Sequence, residues 1–273
     1  MFNTNIGSFS IAALQMVSTQ NVLENLNQAR ELIEQTVLSG AKLIALPEYF
    51  CFMGYLETDK LTIREKEGVG IVQNFLLEQA VKHEIWIVGG TIPLICPEDP
   101  GKIFNTTIVY SPNGKQIVRY DKIHLFKFRS GIEYHDESSV VQSGYEVKVF
   151  DSPIGKIGLS ICYDLRFPEL YRAMGPVQLI IVPAAFTYET GKSHWEFLIR
   201  ARAIENQCYV LAPAQGGLHP NGRRTWGHTM LVDPWGEIIH LLSEGQGFII
   251  GNVELDRIME VRTKLPSLNH RVL

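Results

Sequence analysis

The chain predicts an α/β layered fold made of two similar halves. Short apolar runs of strand length alternate with stretches of helical apolar spacing. The order strand–helix–strand–helix–strand–strand occurs twice. No linker rich in Pro, Gly or Ser separates the two runs, so one domain over residues 1–273 is expected rather than two separable ones.

Residues 9–17 read as a buried strand. Residues 21–38 carry Val22, Leu26, Ala29, Ile33 and Val37 at helical spacing, and Gly40 stops that helix. Residues 42–47 form a second strand that ends at Glu48. Residues 70–83 form a second helix, with Val72, Phe75, Leu76 and Ala80 on one face. Residues 85–92 and 104–110 are further strands. Ser111-Pro112-Asn113-Gly114 is a hairpin turn leading into a strand at 116–120. Residues 122–145 are polar and punctuated by glycine, as expected of a long site-building loop. The order then repeats: strands at 148–150 and 156–161, a helix at 168–174, a strand at 178–182, a helix at 193–207 and a strand at 208–212. Strands at 228–232, 237–242 and 248–253 complete the set.

Bulk properties exclude several function classes. The 273 residues are 45% hydrophobic and 20% charged, ordinary for a globular protein. A formal net charge of -4 gives no reason to expect nucleic acid or an acidic membrane surface as partner. No apolar run is long enough to span a bilayer, and the first residues lack the pattern of a secretory signal. Cys51, Cys96, Cys162 and Cys208 show no CxxC spacing, so a reducing cytoplasm is expected. The histidines show no HExxH spacing, which argues against a metal hydrolase. Gly158-Leu159-Ser160-Ile161-Cys162 ends in Cys and is not a serine nucleophile elbow. Gly89-Gly90 is no dinucleotide fingerprint.

Cys162 stands where an apolar strand stops and a helix is expected. That placement predicts nearby N–H groups and a positive dipole end favouring thiolate. Cys51, Cys96 and Cys208 read as buried or loop-side thiols. Glu48 and Lys122 also follow strands, and ligands of α/β folds bind at the carboxyl ends of strands. A thiol, a carboxylate and an ammonium suffice for amide hydrolysis. The carboxylate takes the thiol proton, and the cation, with the backbone N–H of Tyr163, steadies the oxyanion.

These residues sit in segments that carry a resemblance. They are Ala45-Leu46-Pro47-Glu48, Tyr120-Asp121-Lys122-Ile123-His124, Cys162-Tyr163-Asp164-Leu165-Arg166-Phe167-Pro168-Glu169, 194–207 and Trp226-Gly227-His228. The chain resembles the nitrilase superfamily of carbon–nitrogen hydrolases, in its Nit amidase branch. The resemblance implies a four-layer α-β-β-α sandwich with an internal pseudo-two-fold repeat. It implies a homodimer or higher even oligomer, and no cofactor or metal. It implies Glu48 as base, Lys122 as oxyanion-stabilising cation and Cys162 as nucleophile, with a thioester intermediate. A second glutamate, matching Glu137 with Glu133 as competitor, would orient Lys122. Arg166 would hold a substrate carboxylate, bordered by the Phe186 backbone and Thr190. Arg166 as a structural partner of Asp164 or Glu169 is the alternative.

Tyr188 and Glu189 add bulk and charge beside that carboxylate site. The implied reaction converts a small carboxylate-bearing amide to acid plus ammonia. The stretch 214–224 favours deaminated glutathione over α-ketoglutaramate or α-ketosuccinamate, and its Arg223-Arg224 suits a longer, twice-carboxylated substrate. Nitrile and N-carbamoyl hydrolysis are the remaining chemistries, and a scaffold without turnover is the competing class. His194, Trp195 and Glu196 are expected to open a helix, and His228 to pack or orient its neighbours.

Overall fold

The computed structural model describes residues 7–131 and 133–272. In chain order the strands are β1 (Ser8–Gln15), β2 (Leu43–Ala45), β3 (Trp86–Val88), β4 (Ile92–Ile95), β5 (Ile103–Tyr110), β6 (Gln116–Asp121), β7 (Lys127–Ser130), β8 (Glu133–Asp136) and β9 (Val149–Ser152). They continue with β10 (Gly155–Leu159), β11 (Leu179–Ile181), β12 (Tyr209–Ala212), β13 (Gly216–Leu218), β14 (Arg224–Trp226), β15 (Thr229–Val232), β16 (Ile238–Leu242) and β17 (Gly247–Glu254). The helices are α1 (Val22–Leu38), α2 (Ile71–His83), α3 (Pro168–Ala173), α4 (Tyr188–Asn206) and α5 (Leu255–Lys264).

The repeat is literal in the strand pairing. One sheet runs β17-β1-β2-β3-β5-β4, with β6 on β5, and the other runs β16-β15-β12-β11-β10-β9. In the first, β1, β2 and β3 are parallel, and β5 and β6 follow antiparallel. In the second, β10, β11 and β12 are parallel, and β15 and β16 follow antiparallel. Each sheet is extended beyond its first parallel strand by an antiparallel one, β17 on β1 and β9 on β10. Inner-face residues of both sheets, among them Ile11, Ala13, Leu43, Ile157, Leu159 and Leu211, share one core. The outer face of the first sheet packs Ala12, Leu14 and Ile44 against Leu26, Ile33 and Leu76 of α1 and α2. Trp195, Ile199 and Ala203 of α4 cover the second sheet. The expected α-β-β-α order of layers follows.

Local chemistry explains the helix ends. The Asn21 side chain accepts from Glu24 N–H and starts α1. α2 starts at Gly70, and the buried Glu65 carboxylate accepts from Val72 and Gln73 N–H in place of a cap side chain. A Cβ on Gly70 would lie 2.0 Å from that carboxyl carbon, so glycine is required there.

The structure corrects several expectations. The strand expected at 85–92 is two, β3 and β4, because Gly90 takes φ 54 and turns the chain. A side chain there would meet Pro47 O at 2.3 Å. The loop at 122–145 contains the β7–β8 hairpin. α4 begins at Tyr188, capped by the Thr187 side chain on Thr190 N–H, so His194, Trp195 and Glu196 lie within the helix rather than opening it. Neither the β13–β14 hairpin nor α5 was expected. β13 and β14 have three residues each, too few to show a period, whereas α5 buries Ile258 and Val261 on one face, a legible helical pattern that the sequence reading passed over. Among the described residues no helix is long and apolar enough to cross a membrane.

Candidate active site

Glu48, Lys122 and Cys162 all lie just past the carboxyl ends of strands, β2, β6 and β10 in turn. The two halves bring them into one pocket. Lys122 and Glu48 are each only 1% exposed, so their charges must be neutralised by neighbours. Lys122 Nζ donates to Glu48 Oε1 at 2.9 Å and to both Glu137 oxygens, at 3.0 and 2.8 Å. Burial alone would lower the Lys122 pKa, but Glu137 and then Glu48 hold it well above its ordinary value. Glu48 also accepts from Asn105 Nδ2 at 3.0 Å and, across the sandwich, from Ala185 N–H at 2.9 Å. Glu137 accepts from Tyr49 O–H at 2.5 Å and from Phe126 N–H at 2.6 Å. Against burial, Lys122 and then Lys60 keep the Glu137 carboxyl below its usual range. Of the two glutamates weighed, Glu137 is the one on Lys122. Glu133 lends backbone to β8, and its side chain lies outside the described residues.

Cys162 opens a 3₁₀ turn, Cys162–Arg166, in the left-handed region at φ 49. Tyr49, next to Glu48, is left-handed too, at φ 56. Such conformations cost roughly 1–3 kcal/mol each and persist where surrounding bonds fix them. Cys162 N–H donates to Pro183 O at 2.9 Å, and Tyr49 N–H to Thr91 Oγ1 at 2.9 Å. The expectation of a dipole-stabilised thiolate is corrected. α3 begins at Pro168 as expected, and the Ala185 N–H does favour the thiolate, but other influences outweigh it. Burial pushes the thiol well above its ordinary pKa and Glu48 adds to the push, while Lys122 opposes it. Burial and Glu48 thus favour the thiol over the thiolate at Cys162.

Asp164, fully buried, ties the two reacting segments together. It accepts from Tyr120 O–H at 2.6 Å and His124 N–H at 2.9 Å, on either side of Lys122. It also accepts from Ile161 N–H at 2.9 Å, next to Cys162. The His124 ring, with Nδ1 2.7 Å from Asp164 Oδ1, stacks on Phe167 at 3.7 Å. Asp164 is thereby occupied and does not pair with Arg166.

The pocket encloses about 390 Å³, and its lining includes Tyr163, Arg166, Phe186 and Thr190, all four expected substrate contacts. The Arg166 guanidinium lies over the Tyr163 and Phe186 rings at 5.7 and 5.5 Å, with His194 Nδ1 at 3.3 Å. Among the described residues it has no carboxylate partner, which removes the ion-pair alternative with Asp164 or Glu169. The Phe186 carbonyl is taken by Trp226 N–H. Among the described residues neither Tyr163 N–H nor Phe186 N–H has a protein acceptor, so both can serve a ligand. The Thr190 hydroxyl lies 2.9 Å from that of Thr187. Tyr188 packs edge-on against Trp226, and Glu189 is exposed, so neither adds bulk or charge to the pocket. His228 stacks on Trp226 at 4.0 Å, and its carbonyl accepts from Trp195 Nε1 at 2.9 Å.

Sequence reasoning missed Asn105, Tyr49, Glu57 and His135. Asn105 leaves a signal, an amide inside the apolar run of β5. Glu57 and His135 leave none, since they reach the pocket from a 3₁₀ turn and from β8. Arg223 and Arg224 part company: Arg223 lines the pocket, while Arg224 pairs with Glu244 outside it. Among the described residues no group of three or more His, Cys, Asp or Glu is arranged to hold a metal ion.

Comparison with known proteins agrees with this geometry. Residues 10–263 match the carbon–nitrogen hydrolase family. A deaminated glutathione amidase of Synechocystis sp. is 44% identical over 96% of this chain and 97% of its own. An omega-amidase of Mus musculus is 34% identical over 97% and 96%. The crystal structure of Saccharomyces cerevisiae Nit3, a member of branch 10 of the nitrilase superfamily, superposes with TM-score 0.84 at 31% identity, covering 95% of each chain. The chain belongs to the carbon–nitrogen hydrolase family and is a hydrolase of carbon–nitrogen bonds other than peptide bonds.

Proposed function

We propose that the protein is a cysteine amidase acting on a carboxylate-bearing linear amide, with deaminated glutathione as its substrate. One observation carries this reading: Cys162, Glu48 and Lys122 share a pocket with an arginine that has no carboxylate partner among the described residues. Arg166 receives the carboxylate of the acyl group, with Phe186 N–H and Thr190 beside it. Cys162 Sγ attacks the amide carbon while its proton passes to Glu48. With the thiol favoured, Glu48 must take its proton for the sulfur to attack. Lys122 Nζ and Tyr163 N–H hold the oxyanion. Glu48 returns the proton to the departing nitrogen and then activates the water that opens the thioester. Glu137 keeps Lys122 charged and aimed.

The 44% identity to a deaminated glutathione amidase supports that substrate. Its scissile bond is a secondary amide, so the leaving group is an amine, and release of ammonia is narrowed to primary amides. α-Ketoglutaramate is the second reading, favoured by the omega-amidase relative and served by the same Arg166. Four free cysteines support a reducing compartment such as the cytoplasm. Exposed Phe197 and Ile204 on α4 support an even-numbered assembly. The test is turnover of deaminated glutathione and α-ketoglutaramate, read as keto acid formed. Turnover abolished by Cys162→Ala, together with an acyl-thioester adduct seen by mass spectrometry on rapid quenching of the wild type, is expected. Wild-type silence on both amides sinks the proposal.

A further inference from the structure

The pocket holds a second guanidinium, and its surroundings leave it hydrogen bonds to give. Arg223 sits in the turn between β13 and β14 with its backbone fixed. Its N–H donates to Asn221 Oδ1 at 2.9 Å, and its carbonyl accepts from His219 N–H at 2.8 Å. Asn221 in turn donates to Gly54 O at 2.6 Å. The His219 ring is held between Ser18 O and Thr225 Oγ1, at 2.9 and 2.8 Å, and burial pushes its pKa down to about 4. The hairpin tip is therefore a fixed wall of the pocket rather than a loose loop.

The only carboxylate near the Arg223 guanidinium among the described residues is Glu57, with Oε1 3.9 Å away, beyond hydrogen-bond reach. The other oxygen of Glu57 is already taken by Lys60 Nζ at 2.5 Å. Against burial, Lys60, His135 and Arg223 together hold the Glu57 carboxyl well below its usual range. Glu57 is thus shared between two permanent cations and hydrogen-bonds only Lys60 of the two, which leaves the Arg223 guanidinium without a hydrogen-bonded carboxylate among the described residues. Among the described residues none of its guanidinium N–H groups makes a hydrogen bond. Arg223 and Arg166 share no contact: Arg166 meets Tyr163, Phe186 and His194, on the side of the nucleophile turn. Arg223 lies on the side of the glutamates. There Lys60 connects Glu57 to Tyr49, at 4.2 Å from its ring, and Tyr49 donates to Glu137.

We infer that Arg223 is a specificity residue that binds a second carboxylate, carried by the leaving amine. The preferred substrate class is then an amide with one carboxylate on its acyl side, at Arg166, and another on its amine side, at Arg223. This rests on the amidase reading above. The amine departs toward Glu48, the group that protonates it, and Arg223 is linked through Glu57, Lys60 and Tyr49 to the Glu137–Lys122–Glu48 set of the same pocket.

Deaminated glutathione and its C-terminal carboxamide are compared as substrates for the wild type, Arg223→Gln and Arg223→Lys. A charge-assisted bidentate contact of this kind is worth about tenfold to a hundredfold in affinity. The wild type is expected to prefer the acid over the carboxamide by that factor in kcat/KM, through KM. In Arg223→Gln the preference collapses to about twofold or less. Arg223→Lys, which keeps charge without the fork, gives an intermediate ratio. A wild-type ratio near one, or a ratio in both variants equal to that of the wild type, overturns the inference while leaving the amidase intact. Wild-type silence on both compounds overturns the inference together with the deaminated-glutathione assignment.

Discussion

The first half of the sandwich contributes charged groups that are already hydrogen-bonded, and the second contributes groups that are not. Past β2 and β6, Glu48, Lys122 and Glu137 form a closed set in which each carboxylate oxygen at the centre has a donor. Past β10 and β11, Tyr163 N–H, Phe186 N–H and the Arg166 guanidinium have no protein acceptor or carboxylate partner of their own among the described residues. The same strand order has been used twice, once to build a rigid proton-handling unit and once to leave donors for a ligand. A buried lysine needs partners at all times, because an uncompensated charge in the interior costs several kcal/mol. Donors for a substrate must instead stay unspent until it arrives, and the sites that keep them accept that cost.

Substitutions on the two sides should therefore fail differently. Lys122→Met is expected to have the largest effect. On the proposed mechanism it removes an oxyanion donor, worth about 100- to 1000-fold in kcat. It also leaves Glu48 and Glu137 facing each other, a loss of about 3–5 kcal/mol of stability; steady-state kinetics and thermal unfolding read both. Asp164→Asn attacks the brace between the halves. It should lower kcat about 100-fold through misplacement of Cys162 relative to Lys122, with KM nearly unchanged. Arg166→Gln should raise KM about tenfold to a hundredfold while leaving the melting temperature close to that of the wild type. A large stability loss in that variant would break the comparison.

Smaller effects sharpen it. Glu48 raises the Cys162 pKa and Lys122 lowers it. The pH midpoint of iodoacetamide labelling should thus move down in Glu48→Gln and up in Lys122→Met; shifts of the same sign in both would contradict the arrangement. The smallest effect concerns Glu57, whose folded pKa is depressed. Its contribution to stability is complete above the ordinary carboxylate pKa of about 4.3 and is lost as pH falls below that toward the folded value. Melting curves should show a shallower acid-side decline in Glu57→Gln than in the wild type.

The sequence was most legible where one residue type recurs with a fixed neighbour. The parallel strands stood out because both their faces are buried, as in Ile157, Leu159 and Ile180, and read as unbroken apolar runs. Cys162 and Glu48 were legible because each ends such a run, whereas Lys122 follows the half-buried antiparallel strand β6 and was picked out by the family resemblance. The β7–β8 hairpin was not, since its strands are mostly polar, nor were β13 and β14, which are too short to show a period; α5 carried a readable helical face in Ile258 and Val261 that was passed over. The start of α4 was misplaced because Thr187, its cap, lies ahead of the apolar period that marks the helix.

By itself the sequence determined the layered α/β class and the duplicated strand pattern, which depend on local periodicity, and it supplied candidate reacting residues through their types and the motifs around them. Only the tertiary structure decided which glutamate meets Lys122, that burial and Glu48 favour the thiol at Cys162, and that Arg223 faces the pocket while Arg224 does not. Those outcomes depend on burial and on distances between segments far apart in the chain, and electrostatic energies change steeply with both.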